Sequence, residues 1–93
     1  MVNDAALAEL VLRSGQEVLG KDMVHTAPLS SASEDFARYG QLAPICFAML
    51  GGGLAREGCG YMNHNPQFHI LEEAMINGVK TEVQCALNFL SQT

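Results

Sequence analysis

The sequence predicts an α/β fold in the order helix, strand, helix, strand, helix. Three observations predict it. Apolar residues recur at helical spacing near both ends of the 93-residue chain. A nearly unbroken apolar run, Ile45-Cys46-Phe47-Ala48-Met49-Leu50, has strand length and suits a strand covered on both faces, as in a parallel sheet. A shorter strand candidate, Met23-Val24-His25-Thr26-Ala27, is closed by Pro28.

Taken in order, Asn3-Asp4 supplies an N-cap for a helix over about residues 4–19. Leu7, Leu10, Val11, Val18 and Leu19 share one broad face of it, and Gly20 caps its end. After the first strand candidate, Leu29-Ser30-Ser31-Ala32-Ser33 reads as a polar loop. Ser33 can cap a second helix over 34–41, with Glu34 and Asp35 suiting the positive end of its dipole. Ala43-Pro44 ends that helix, and the 45–50 strand candidate follows. Gly51-Gly52-Gly53 opens a glycine-rich segment that continues to Gly60. The last helix covers about residues 70–91, where Met75, Val79, Val83, Ala86, Leu87 and Leu90 keep helical spacing. Asn77-Gly78 weakens it locally by about 1 kcal/mol against alanine, and the glycine permits a close neighbour.

The strand–helix–strand portion predicts a right-handed parallel crossover. Two parallel strands alone leave both sheet edges open, which implies a partner: another copy, or the rest of a larger sheet.

Length argues for one small domain over residues 1–93, or for one piece of a larger one. Apolar residues are 48% of the chain, so disorder is excluded. A net charge of −5 without any basic run excludes nucleic acid and anionic membrane as partners. No apolar stretch reaches the roughly 20 residues of a membrane span, and no secretory signal opens the chain. Three cysteines without a Cys-x-x-Cys spacing do not make a disulfide framework, and a reducing cytoplasm fits them best.

His64 is the first candidate for chemistry. It stands in loop backbone just before Asn65-Pro66 and shortly upstream of a helix, where an imidazole can project into a cleft and offer a nitrogen to metal or substrate. The plainer reading is an ordinary loop histidine. Cys59, His64 and His69 could form a local zinc site, but their spacing matches no standard zinc signature. Glu34 is either substrate-side or simply a first-turn charge, and Asp35 reads as structural. Glu72 and Glu73 are first-turn charges rather than a catalytic pair. Gly51-Gly52-Gly53 lacks the Gly-Lys-Ser/Thr of a phosphate loop. Cys46 and Cys85 lie in apolar patterns as inert core. Cys59 is the best candidate for an exposed thiol, and nothing in the sequence pairs it with a base.

Six short stretches in one order then carry a resemblance. They are Val2-Asn3-Asp4, Val18-Leu19-Gly20, Ser33-Glu34-Asp35-Phe36-Ala37-x-Tyr39, Pro44-x-x-Phe47-x-x-Leu50-Gly51, His64-Asn65-Pro66-x-Phe68 and Glu72-Glu73-Ala74-Met75-x-x-Gly78. The pattern is similar to the C-terminal end of the metal-dependent amidohydrolases that include hippurate hydrolase, N-acyl-L-amino-acid amidohydrolase and auxin-conjugate hydrolases. It covers nearly the whole chain. The resemblance implies the terminal fragment of a two-metal peptidase-like catalytic domain, whose inserted lid domain often mediates dimerisation. It implies N-acyl amino acids as substrates and a divalent metal (zinc, manganese or cobalt) as cofactor of the parent enzyme. It makes His64 the last metal ligand, and it sets Ser33 and Glu34 beside the substrate and metal cleft.

Two departures stand out. His69 and Leu71 occupy positions where the family usually carries acidic or small polar residues. The upstream ligand motif and the paired glutamates that supply the general base have no counterpart here. No catalytic residue is therefore assigned, and the isolated chain is expected to be inactive, with or without a bound metal. A truncated chain, a split-gene product and a decayed gene all agree with this. The alternative is a small non-enzymatic interaction module that oligomerises through exposed sheet edges and apolar helix faces.

Overall fold

Asp4 starts the first helix. Its backbone is extended, and its carboxylate accepts from the Leu7 N–H at 3.0 Å, satisfying one of the orphan donors of the first turn. The helix, α1, covers Ala5–Leu19 and stops at Gly20, whose φ of 90° is open to glycine and costly for other residues. The structure is a computed structural model that describes residues 2–26, 34–54, 58–59 and 65–92.

The chain's second long helix, α2, covers Met75–Leu90 and is led in by one 3₁₀ turn, Glu72–Ala74. The two helices pack on each other. Small and polar residues line their contact. Ser14 is fully buried and Gly15 is buried beside it. A Cβ at Gly15 would come within 3.1 Å of a Val24 methyl and 3.9 Å of the Thr81 methyl. The Ser14 hydroxyl donates to the Leu10 carbonyl at 2.7 Å and accepts from the Asn88 amide at 2.9 Å. Gln84 in turn donates to Asn88 at 2.9 Å. The contact is thus held by a satisfied polar chain rather than by an apolar seam.

Between the helices the architecture departs from the sequence expectation. The described residues contain no strand, so the expected helix-strand alternation with a short parallel pair is overturned. Residues 21–23 form a 3₁₀ turn, Lys21–Met23; 24–26 are irregular; Ala27 and Pro28 lie outside the described residues. The 45–50 run is likewise irregular. A strand exists only where a second backbone pairs with it, and apolarity alone does not supply one. Here the pairing groups come from elsewhere. The Asn3 side chain donates to the Phe47 carbonyl at 3.1 Å and accepts from the Phe47 N–H at 2.8 Å, so one carboxamide takes the place of a neighbouring peptide. The Asp4 N–H donates to the Ile45 carbonyl at 2.8 Å.

The middle helix is also corrected. Asp35–Gln41 is a seven-residue 3₁₀ helix, long for its kind. Its N-cap is Glu34, whose carboxylate accepts from the Phe36 N–H at 3.4 Å, while Ser33 lies outside the described residues. The Phe36 ring packs on Tyr39 at 5.3 Å and on Phe47 at 5.6 Å, which fixes this turn against the 45–50 run.

Farther on, the Leu71 N–H donates to the Gly52 carbonyl at 2.8 Å. A Cβ at Gly52 would lie 2.5 Å from an Ile70 methyl, so only glycine admits this approach. Leu10 is the one buried apolar side chain among the described residues.

Candidate functional site

The described chain resumes just after His64 in a hydrogen-bonded turn. The Asn65 side chain accepts from the Gln67 N–H at 2.8 Å, and its carbonyl accepts from the Phe68 N–H at 2.9 Å. These bonds close an Asx turn through Pro66, the conformation that Asn-Pro favours. His64 itself lies outside the described residues, as does Ser33. Glu34 is described and exposed, at the start of the Asp35–Gln41 turn. Of the three site residues read from the sequence, the structure therefore places one.

Two grooves are open beside the helix pair. The first, about 500 Å³, lies between α1, α2 and residues 46–51 and is lined by groups such as Val11, Gly15, Phe47 and Thr81. The second, about 620 Å³, is lined by Asp22, His25, Gly53, Leu71 and Glu73 among others. Glu34 borders neither. His25 borders both. The sequence pattern sets His25 in a strand candidate and gives it no role. Its segment is weakly β-branched and closed by a proline, which is the signal that could have marked it as a loop imidazole.

Burial holds the Cys46 thiol above its usual range, and the nearby Cys85 thiol and Asp4 carboxylate push the same way. The thiol therefore keeps its proton at neutral pH and is a poor nucleophile, although Cys46 is half-buried at a groove wall rather than in a core.

Among the described residues no group of three or more His, Cys, Asp or Glu side chains is placed to hold a metal ion. These residues do not by themselves complete a metal site. Glu57 and His64, two further donors, lie outside the described residues.

The sequence profile of peptidase family M20/M25/M40 matches residues 1–88. The chain belongs to that family. Among curated relatives, a probable hydrolase, sll0100, of Synechocystis is 34% identical over 80 residues, which are 85% of this chain and 20% of that protein. Thermostable carboxypeptidase 2 of Saccharolobus solfataricus is 34% identical over 67 residues, 72% of this chain and 17% of that one. A putative glutamate–cysteine ligase 2-3 of Rhodococcus jostii is 36% identical over 85 residues, 89% of this chain and 10% of that protein. No solved structure matches the chain. The chain spans about a fifth or less of the length of these relatives. Peptidases of the M20 family are generally metal-dependent. No helix among the described residues is long and apolar enough to cross a membrane.

Proposed function

We propose that this chain is the C-terminal part of an M20-family amidohydrolase whose complete form removes the acyl group from N-acyl amino acids with a divalent metal. The observation that carries the reading is the ordered set of short motifs, from Asn3-Asp4 to Glu72-Glu73, lying within the family match over residues 1–88. In this reading His64 donates one imidazole nitrogen to the metal, and Ser33 and Glu34 border the substrate. The metal would polarise the amide carbonyl and activate water. The chain's own part is to supply His64, next in sequence to the turn that Asn65 closes.

The isolated chain is inactive in this reading. Amide hydrolysis of this kind needs several ligands and a base within reach of the water. Three cysteines and no disulfide framework suit a reducing compartment, the cytoplasm. The rival reading as an association module loses its sheet edges, since the described residues contain no sheet, and keeps only the helix faces.

Metal titration of the purified chain tests the reading, with zinc, manganese and cobalt each followed by calorimetry. Weak binding that disappears in His64→Ala is expected, together with no turnover of N-acetyl amino acids. Metal-dependent turnover by the chain alone would refute the claim of inactivity. Binding unaffected by His64→Ala would refute the ligand assignment.

A further inference from the structure

Helix α2 has an outer and an inner side. Met75, Val79, Val83, Leu87 and Leu90 form an apolar stripe that is exposed, from 51% at Met75 to 77% at Leu90. The other side meets the rest of the chain: Thr81 approaches Gly15, and Asn88 bonds Ser14. Cys85 is half-buried on this inner side. It stands seven residues beyond Gly78, and two turns of helix bring residues seven apart to nearly the same face. Gly78 marks where the 45–50 run lies, since a Cβ there would come 2.9 Å from a Leu50 methyl.

The same run brings Cys46 toward Cys85. From Leu50 back to Cys46 the chain can span about 13 Å when extended, and from Gly78 to Cys85 the helix rises about 10.5 Å. A run that leaves Gly78 along the helix therefore sets one cysteine beside the other. Cys46 feels the charge of both Cys85 and Asp4, so its thiol stands between the inner side of α2 and the start of α1. Hydrogen bonds fix that place: the Asp4 N–H donates to the Ile45 carbonyl, and the Asn3 carboxamide holds Phe47. Cys46 lines the groove between α1, α2 and residues 46–51, so a small molecule can reach its sulfur. The third cysteine is elsewhere, as the Cys59 sulfur lies against Gly53. Cys46 and Cys85 are both half-buried, which corrects their reading as inert core.

We propose that Cys46 and Cys85 form a redox latch, an intrachain disulfide made by exchange with a small-molecule disulfide such as oxidised glutathione. The Cys46 thiol gives up its proton, and its thiolate attacks one sulfur of the oxidant. A protein–glutathione disulfide forms and one glutathione thiolate leaves. The Cys85 thiolate then attacks the Cys46 sulfur, and the second glutathione leaves. Two protein thiols are oxidised, one glutathione disulfide is reduced to two thiols, and the two protons released by the protein pass to the departing glutathiones. Burial and nearby negative charge keep Cys46 protonated at neutral pH, so closure is slow there and quickens as pH rises. In a reducing compartment the pair rests open and closes on oxidation. Closed, it ties the 45–50 run to α2. Neither thiol enters the metal reading, so the inference goes beyond the proposed function and does not depend on it.

The test incubates the whole 93-residue chain with oxidised glutathione in mild alkali, blocks remaining thiols with iodoacetamide and reads tryptic peptides by mass spectrometry. Cuts after Arg38, Arg56 and Lys80 put the three cysteines on separate peptides. Peptide 39–56 joined to 81–93, two hydrogens lighter than the pair, is expected, with Cys59 alkylated. Cys85→Ser should instead trap glutathione on Cys46, and Cys59→Ser should leave the bridge as it is. The bridged chain should melt about 5 °C or more above the reduced one, because a link made in native geometry constrains the unfolded chain without strain. Dithiothreitol should reverse the shift. The proposal would be overturned by thiols that stay unreacted, by a bridge through Cys59 or between two copies, or by glutathione left on Cys46 of the unaltered chain. A bridged chain that melts below the reduced one would overturn it as well, since the two sulfurs would then not be neighbours in the fold.

Discussion

Replacing Asn88 with alanine is expected to destabilise the helix pair by about 1–3 kcal/mol, most of it at a residue that is not mutated. Asn88 makes three side-chain bonds: it accepts from Gln84 at 2.9 Å and donates to Ser14 at 2.9 Å and to Glu17 at 3.3 Å. Glu17 is exposed and Gln84 half-exposed, so water replaces Asn88 for both at little cost. Ser14 has 0% exposure and cannot do the same. Its hydroxyl would keep its donation to the Leu10 carbonyl at 2.7 Å but would lose its only donor, leaving a buried oxygen unsatisfied. Ser14→Ala removes the same bond without that orphan, because Asn88 keeps Glu17. It should cost less, about 1 kcal/mol. Urea unfolding followed by circular dichroism reads both, and at about 1 kcal/mol/M the midpoint of Asn88→Ala should fall by about 1–3 M. In the double variant the orphan disappears, so its loss should fall short of the sum of the singles by about 0.5–1.5 kcal/mol. Strict additivity would refute the claim that Ser14 and Asn88 are coupled.

Three further outcomes follow from the same structure. Gly78→Ala should raise the thermal midpoint by about 2–4 °C. The helix gains up to about 1 kcal/mol, and the new Cβ meets a Leu50 methyl at 2.9 Å, the movable end of a half-exposed side chain. A fall would show that Leu50 is pinned. Gly52→Ala should do the opposite and cost about 1–3 kcal/mol, because its Cβ would lie 3.1 Å from the stiff branched Cβ of Ile70. Faster hydrogen exchange at the Leu71 amide, now bonded to Gly52, checks it. Cys46→Ala should flatten the alkaline limb of the stability profile. Burial raises the folded thiol's pKa above that of the unfolded chain. As pH rises past about 8.5 the unfolded state therefore loses its proton first, and stability falls. An alkaline limb unchanged in Cys46→Ala would assign that loss to other groups.

The order of short motifs placed the family, because those motifs lie in the sequence itself and need no contact to be seen. The candidate site was less accessible. His64 was singled out by its place before Asn65-Pro66 and by the resemblance, and it lies outside the described residues. A metal site needs donors brought together from distant segments, and no local pattern encodes those. His25 shows the same limit, as it borders two grooves that only the packing of distant segments forms.

By itself the sequence determined the two long helices and the Asp4 and Gly20 caps of α1. Each closes through bonds spanning a few residues, so composition and spacing suffice. The tertiary structure alone decided the fate of the 45–50 run and the direction in which α2 faces. A strand needs a second backbone, and here Asn3 answers Phe47 across 44 residues. Helical spacing shows that α2 has an apolar stripe but is blind to rotation about the helix axis. Ser14, Gly15, Thr81 and Asn88 set that rotation by fitting and bonding closely, and so they leave the stripe pointing outward.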